Sequence, residues 1–147
     1  VLAGVDLSVS PGEALLLLGE NGSGKTTLLR AIASAIRLHH GTIKIHGQDA
    51  WNDRASLRTN VALMTHATRL YEDLSASDNL HVWARLGGFD VDVESALKQV
   101  GLPVDRLSPV RTFSDGMRRR VALARVMLRS PDVVLFDELL FITPHSF

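Results

Sequence analysis

Gly19, four further residues, and then Gly24-Lys25-Thr26 form a spacing suited to holding a polyphosphate. In that pattern successive backbone N–H groups wrap the phosphates while the N-terminus of the following helix adds its partial positive charge. Glu20, Asn21, Gly22, Ser23 and Thr27 complete the candidate cradle, with Lys25 as a point charge toward β- and γ-phosphates and the Thr26 hydroxyl toward an accompanying Mg²⁺. The competing reading is an ordinary Gly/Ser turn. The context favours the cradle, because an apolar run (Leu15 to Leu18) precedes the loop and helix-compatible residues (Leu28 to Ala35) follow it. A second constellation lies near the other end, where the β-prone run Val133-Val134-Leu135-Phe136 releases Asp137 and Glu138. Asp137 could bind the Mg²⁺ and Glu138 could take a proton from an attacking water; alone, the pair reads equally well as an acidic surface turn. Beside Lys25 and Thr26 it becomes the second half of an ATP and Mg²⁺ site.

The remaining pattern describes what must position these groups. A chain of 147 residues, 46% hydrophobic and 22% charged, has the material for one globular core. Sixteen basic and sixteen acidic side chains cancel, so no overall field argues for nucleic acid or an anionic membrane surface. No apolar run is long enough to cross a bilayer, no export leader opens the sequence, and cysteine is absent; cytoplasmic residence is the simplest expectation. Val5, Leu7 and Val9 alternate with polar neighbours before Pro11-Gly12, which predicts a strand entering a hairpin whose second arm runs into the loop at Gly19. Residues 42–47 alternate between glycines and predict a short antiparallel strand, while His39, His40 and His46 read as surface histidines. Val61 to Met64 predicts an interior strand that delivers Thr65-His66 at its carboxyl end, where open α/β sheets place ligands. Ser75 to Asp78 has capping-box spacing for a helix to about Leu86, closed by Gly87-Gly88; Asp90 or Asp92 can cap a second helix ending near Gly101. Trp83 is expected to pack inside this helical insert. A third helix follows Ser114-Asp115-Gly116 and ends at Pro131, with Met117, Val121, Ala124 and Leu128 on one face. The arginines around it, at 111, 118, 119, 120, 125 and 129, lack interleaved aromatics and read as a solvated helix face in preference to a nucleic-acid patch.

Together these motifs resemble the ATP-binding-cassette (ABC) ATPases over nearly the whole sequence. The segment Arg111 to Arg125, with Phe113-Ser114-Asp115-Gly116-Met117 at its heart, is similar to the signature loop and helix that separate this family from other P-loop enzymes. The resemblance implies an α/β fold: a P-loop NTPase (RecA-like) core at about 1–65 and 129–147, with a short antiparallel β subdomain and a helical insert and signature helix at about 66–128. It implies a head-to-tail pair of ATPase subunits, in which Ser114 and Gly116 of one chain meet the γ-phosphate held by the other's Lys25. It also implies catalytic roles for Glu138, Lys25 and His66, and coupling through the helical insert to a membrane permease, the subunit lying on the inner face of the cell membrane. Residues 66–71 and 113–117 are further similar to the branch that includes haem-export ATPases of cytochrome c maturation.

Some positions depart from the family pattern. His66 stands where most relatives carry a glutamine that touches Mg²⁺ and the attacking water, and an imidazole matches a hard cation less well. Asp115 replaces a small residue. After Glu138 the family's proline, aspartate and distant histidine are absent, and His145 lies too close to Glu138 to be that histidine; the expectation is a chain truncated at both ends. Two other functions stay open on the residues alone: a soluble ABC ATPase acting on ribosomes or DNA, and a module that binds ATP without turning it over.

Overall fold

Apolar residues at three- and four-residue spacing, closed by capping side chains, build the best-formed part of the molecule. The computed structural model describes residues 4–88, 90–104 and 107–137. Two compact units divide at Arg58 and Thr59.

In the first unit, helix α1 (Lys25–Ile32) starts directly behind the glycine loop and buries Ala31. Strands β1 (Lys44–Ile45) and β2 (Gln48–Asp49) pair antiparallel through His46-Gly47. Both connecting residues have positive φ, 51° and 80°, the φ signature of a type I′ hairpin turn, whose twist suits the flanking strands. A short helix α2 (Arg54–Leu57) follows and buries Leu57. Trp51 stacks beneath the guanidinium of Arg54, 4.7 Å from the ring centroid. The antiparallel expectation for 42–47 holds, in a shorter ladder than the alternation suggested.

The hairpin expected over 5–18 does not form as strands. Its turn is present, Glu13 N–H donating to the Ser10 carbonyl at 3.0 Å and Ser10 N–H to Glu13 Oε2 at 2.8 Å. Its arms are not paired as β structure, and Val5, Leu7, Val9, Leu15, Leu16 and Leu18 are all exposed, Leu18 at 83%. A two-stranded ribbon is marginal in water unless a further strand or a covering surface buries one face. These side chains are not buried, so alternation alone did not suffice.

The second unit holds the parallel pair and the helical insert. Strand β3 (Val61–Met64) pairs in parallel with β4 (Val133–Phe136), Val61 opposite Val133 and Met64 opposite Phe136. Between them come α3 (Ala76–Gly87), α4 (Val93–Gln99), a 3₁₀ turn (Val110–Thr112) and α5 (Asp115–Arg129). These three helices begin on side-chain caps: Ser75 Oγ, as its spacing predicted, accepts from Asp78 N–H; Asp92, and not Asp90, accepts from Ser95 N–H; and Ser114 Oγ accepts from Met117 N–H. Gly88, at φ 70°, closes α3 in the left-handed conformation that glycine adopts most cheaply. Ser130 plays that part for α5 at φ 45°, one residue before Pro131. Leu80, Leu97, Val110 and Val121 are the fully buried centre of one cluster that joins α3, α4 and α5 and includes Phe113. Trp83 is half-buried on α3.

Candidate functional site

The glycine loop of the first unit is bent by φ angles that only some residues tolerate. Gly22 and Gly24 take φ of 85° and 95°, and Gly24 is the N-cap of α1. At Gly19 an added Cβ would sit 2.9 Å from Ser23 Oγ, inside contact distance, so the loop closes on itself where glycine leaves room. Ser23 N–H donates to the Glu20 carbonyl at 3.2 Å, making the turn itself. Lys25 folds back over it: Nζ donates to the carbonyls of Gly19 and Glu20, both at 2.7 Å, and reaches Ser23 Oγ at 3.3 Å. The ammonium thus stands at the mouth of a glycine-lined cradle behind which a helix begins. Thr26 is half-buried in the first turn of α1, and Glu20, Asn21, Ser23 and Thr27 are exposed. The strand expected just before this loop is not assigned.

In the second unit the C-terminal ends of β3 and β4 lie side by side. Asp137 N–H donates to the Met64 carbonyl at 2.9 Å, so the carboxylate leaves β4 next to the point where Thr65-His66 leaves β3. Asp137 is half-buried. Glu138, the expected proton acceptor, lies outside the described residues, as does the segment after it. The sequence order therefore brings His66 and Asp137 to one edge although 71 positions separate them, through the register of two four-residue strands.

Helix α5 reaches that same edge. Arg119 donates from its guanidinium to His66 Nδ1 at 3.0 Å. The preceding residue, Arg118, is hydrogen-bonded and ion-paired to Asp115 at 2.5 Å. Arg118 holds the Asp115 carboxyl below its ordinary 3.8, chiefly by that hydrogen bond and then by its charge, with smaller contributions from Arg119 and His66. Ser114 caps α5, and a Cβ at Gly116 would meet only Ser114 Oγ, at 4.0 Å, so the fold itself has room for a side chain there.

The arginines correct one reading of the sequence. They were expected on a solvated helix face, yet 118, 119, 120, 125 and 129 are half-buried. Arg120 donates to the Gly101 carbonyl at 3.0 Å and Arg125 to the Arg69 carbonyl at 3.4 Å, while Arg111 pairs with Asp73 at 3.1 Å. Burial lowers the pKa of Arg125, with the Arg69 charge adding to it. Guanidinium is planar and weakly hydrated, so it bridges helix to loop at low desolvation cost, which a charge count along the chain does not reveal.

Asn79 is the structural residue that the motifs missed. It is 4% exposed, accepts from Tyr71 N–H at 2.7 Å, and donates to the carbonyls of Tyr71 at 3.0 Å and Ser75 at 2.9 Å. Val110 N–H to the Leu74 carbonyl and Arg111 N–H to the Glu72 carbonyl then tie this loop to the segment leading into α5. A buried polar side chain inside an apolar helix stripe was its only signal.

A model of the ABC transporter family matches residues 2–140 of the chain. The chain belongs to the ABC transporter family. It is 36% identical over 140 residues to the ABC transporter ATP-binding protein NatA of Bacillus subtilis, covering 91% of this chain and 57% of that protein. It is 38% identical over 141 residues to the cytochrome c biogenesis ATP-binding export protein CcmA of Cupriavidus necator, covering 94% of this chain and 62% of that one. Among solved structures, a putative ABC transporter ATP-binding protein from Pyrococcus furiosus superposes with a TM-score of 0.69 at 27% identity, over 81% of this chain and 58% of the other. The chain thus spans about three-fifths of the length of these ABC relatives. The fold is that of the ABC ATPases, an α/β P-loop domain, and the parallel β3–β4 pair with its helical insert is the part of that fold seen in the second unit.

Proposed function

We propose that the chain is the ATP-binding and ATP-hydrolysing subunit of an ABC transporter. The observation that carries this reading is the Lys25 ammonium held by the Gly19 and Glu20 carbonyls over a loop with left-handed glycines at 22 and 24. A phosphate chain entering such a loop meets backbone N–H groups and the start of α1, and it offers Lys25 a stronger partner than two neutral carbonyls. The donor set also fits Mg²⁺, which takes one or two protein oxygens with phosphates and waters and needs no dedicated cage. The Thr26 hydroxyl and the Asp137 carboxylate are the oxygens this reading assigns to it. When bound, Mg²⁺ neutralises charge on the β- and γ-phosphate oxygens. The chain's own groups do the rest: the loop amides from Gly19 to Thr27 orient the triphosphate, Lys25 meets the charge of the transferred group, and Glu138 takes the proton of the attacking water.

Ser114 and Gly116 serve a second copy of the chain, contacting the γ-phosphate that the partner's Lys25 holds. The open space at Gly116 suits the approach of an outside group. A membrane permease is the remaining partner, reached through the helical insert, which places the subunit at the inner face of the membrane. No helix among the described residues is long and apolar enough to cross it. Export in cytochrome c biogenesis is the finer assignment, supported by relatives such as the 38% identical Cupriavidus protein named for that process.

The test is phosphate release by the purified chain with ATP and Mg²⁺, alongside nucleotide affinity. Release is expected to require Mg²⁺ and to disappear in Lys25→Ala while the fold is kept. Hydrolysis that persists in Lys25→Ala defeats the proposal. Tight binding with no turnover in the unaltered chain points instead to a binding-only module.

A further inference from the structure

We propose that Arg37, Trp51 and Arg54 form a docking point for an acidic peptide segment of a partner protein, whose carboxylates are taken up by the two guanidinium groups. The inference goes beyond the nucleotide reading above and does not rest on it. Its ground is that both guanidinium groups gather on one indole of the first unit. Arg54 lies 4.7 Å and Arg37 5.8 Å from the Trp51 ring centroid, each within cation–π range. The ring offsets part of their mutual repulsion, and an anion shared between them would offset more. Neither arginine is ion-paired among the described residues. The carboxylates in the same stretch are turned to the backbone instead. Asp49 Oδ1 accepts from the N–H groups of Trp51 at 3.0 Å and Asn52 at 2.7 Å, and Asp53 Oδ2 accepts from Asp49 N–H at 2.9 Å.

Those bonds pin the turn that carries the indole. Ala50 N–H donates to the Ile43 carbonyl at 2.9 Å, and the Arg54 guanidinium donates to the Trp51 carbonyl at 3.2 Å. Trp51 is half-buried, while Arg37 and Arg54 are exposed. A guanidinium held over a ring keeps N–H edges for an outside acceptor, and its fork matches a carboxylate two bonds at a time. Holding the side chain beforehand also lowers the entropy lost on binding. Carboxylates on alternate residues of an extended peptide point the same way and sit roughly 7 Å apart, a span that two cations sharing one ring can meet. Other anionic partners fit less well. Single-stranded nucleic acid stacks its bases on open aromatic faces, and a bilayer takes an exposed aromatic into its interface. Trp51 is half-buried with cations over its ring and is suited to neither.

Hexaglutamate blocked at both ends is the probe, added to the whole chain in a Trp83→Phe background so that indole emission comes from Trp51 alone. Emission should change to saturation at low salt, and binding should weaken as salt rises. Arg37→Gln and Arg54→Gln should each weaken it roughly threefold, the scale of one exposed ion pair. Arg37→Lys with Arg54→Lys keeps both charges without the fork and should recover only part of the loss. Lys44→Gln removes a charge from the same unit away from the indole and should matter less than either arginine. Trp51→Leu, followed by calorimetry, should weaken binding although no charge is lost. Lys25→Ala should bind the peptide as the unaltered chain does, so this inference and the nucleotide reading fail separately. Absence of binding, or binding unmoved by the double lysine variant, overturns the proposal. So does tighter engagement of the same two arginines by oligothymidylate or by phosphatidylglycerol vesicles.

Discussion

At the scale of single residues, the loop that holds Lys25 depends on backbone angles more than on contacts. A Cβ at Gly22 would meet nothing within 4 Å, so Gly22→Ala changes the conformational preference at φ 85° and little else. Holding an L-residue there costs about 1–2 kcal/mol. The two tryptophans, Trp51 and Trp83, fall one in each unit, so denaturation can be followed separately in Trp83→Phe and Trp51→Phe backgrounds. Gly22→Ala should lower the midpoint reported by Trp51 and leave that of Trp83 in place. Asp115 makes the electrostatic case. Its carboxyl titrates below 3.8 in the fold because Arg118 bonds its charged form, so its contribution is present above the unfolded value and is lost as pH falls through the depressed one. Asp115→Asn should therefore be slightly less stable than the unaltered chain at pH 7, by a margin that salt reduces. The two should draw together as pH falls from 3.8 through the depressed folded value, in a urea titration followed across pH 2 to 7. The negative charge that Asp115 brings to the segment is thus paired with Arg118.

At the scale of elements, the helices were legible and the strands only partly so, for a physical reason. Ser75, Asp92 and Ser114 announce helix starts because each cap is a local bond between residues three apart, and the apolar spacing that follows is local too. The β3–β4 pair was readable as two apolar runs, but its register depends on residues 72 positions apart and came only with the structure. The arms around Pro11-Gly12 had the alternation of strands and did not pair, since a strand needs a neighbour and a cover that its own sequence does not supply. The tight turn from Gly19 to Gly24 was legible in its glycines, whereas Arg119 was seen only as one arginine among six. Its contact with His66 crosses from α5 to the end of β3 and leaves no mark in local spacing. Among the helices, α3 offers the clearest measurement. Ser75 Oγ accepts from Asp78 N–H at 3.1 Å and donates to Asp78 Oδ2 at 2.6 Å while itself 3% exposed. Ser75→Ala removes both bonds and should cost about 1 kcal/mol. Thermal unfolding followed by Trp83 in the Trp51→Phe background should show the loss, and Ser75→Asp, which can still cap, should recover part of it.

At the scale of the whole molecule, burial is unevenly distributed between the units. The second unit encloses Leu80, Leu97, Val110, Val121 and Phe113 in one cluster and anchors its loops through buried Asn79 and the half-buried arginines. Arg111, Arg120 and Arg125 are engaged within the unit, which weakens the reading of this arginine cluster as a ribosome- or DNA-binding patch. The first unit exposes a succession of large apolar side chains from Val5 to Leu18 on backbone without assigned strands, and its helix α1 buries only Ala31. Segments with few buried contacts and solvent-exposed backbone open at the low end of the free-energy range, while core helices open only near the global limit. Limited proteolysis should therefore cut first within residues 5–18, and the fragment that survives longest should contain α3, α4 and α5. Amide exchange should rank the same way, with Leu15 to Leu18 exchanging faster than Leu80, Leu97 or Val121. Nucleotide acts on this order if the function proposed here is right: MgATP bound at Gly19 to Thr27 stabilises the state it binds in proportion to its saturation, so cutting next to the loop should slow as ATP is raised. In Lys25→Ala the same addition should leave the cutting rate unchanged, and equal protection of both chains would assign the effect to something other than occupancy of the loop.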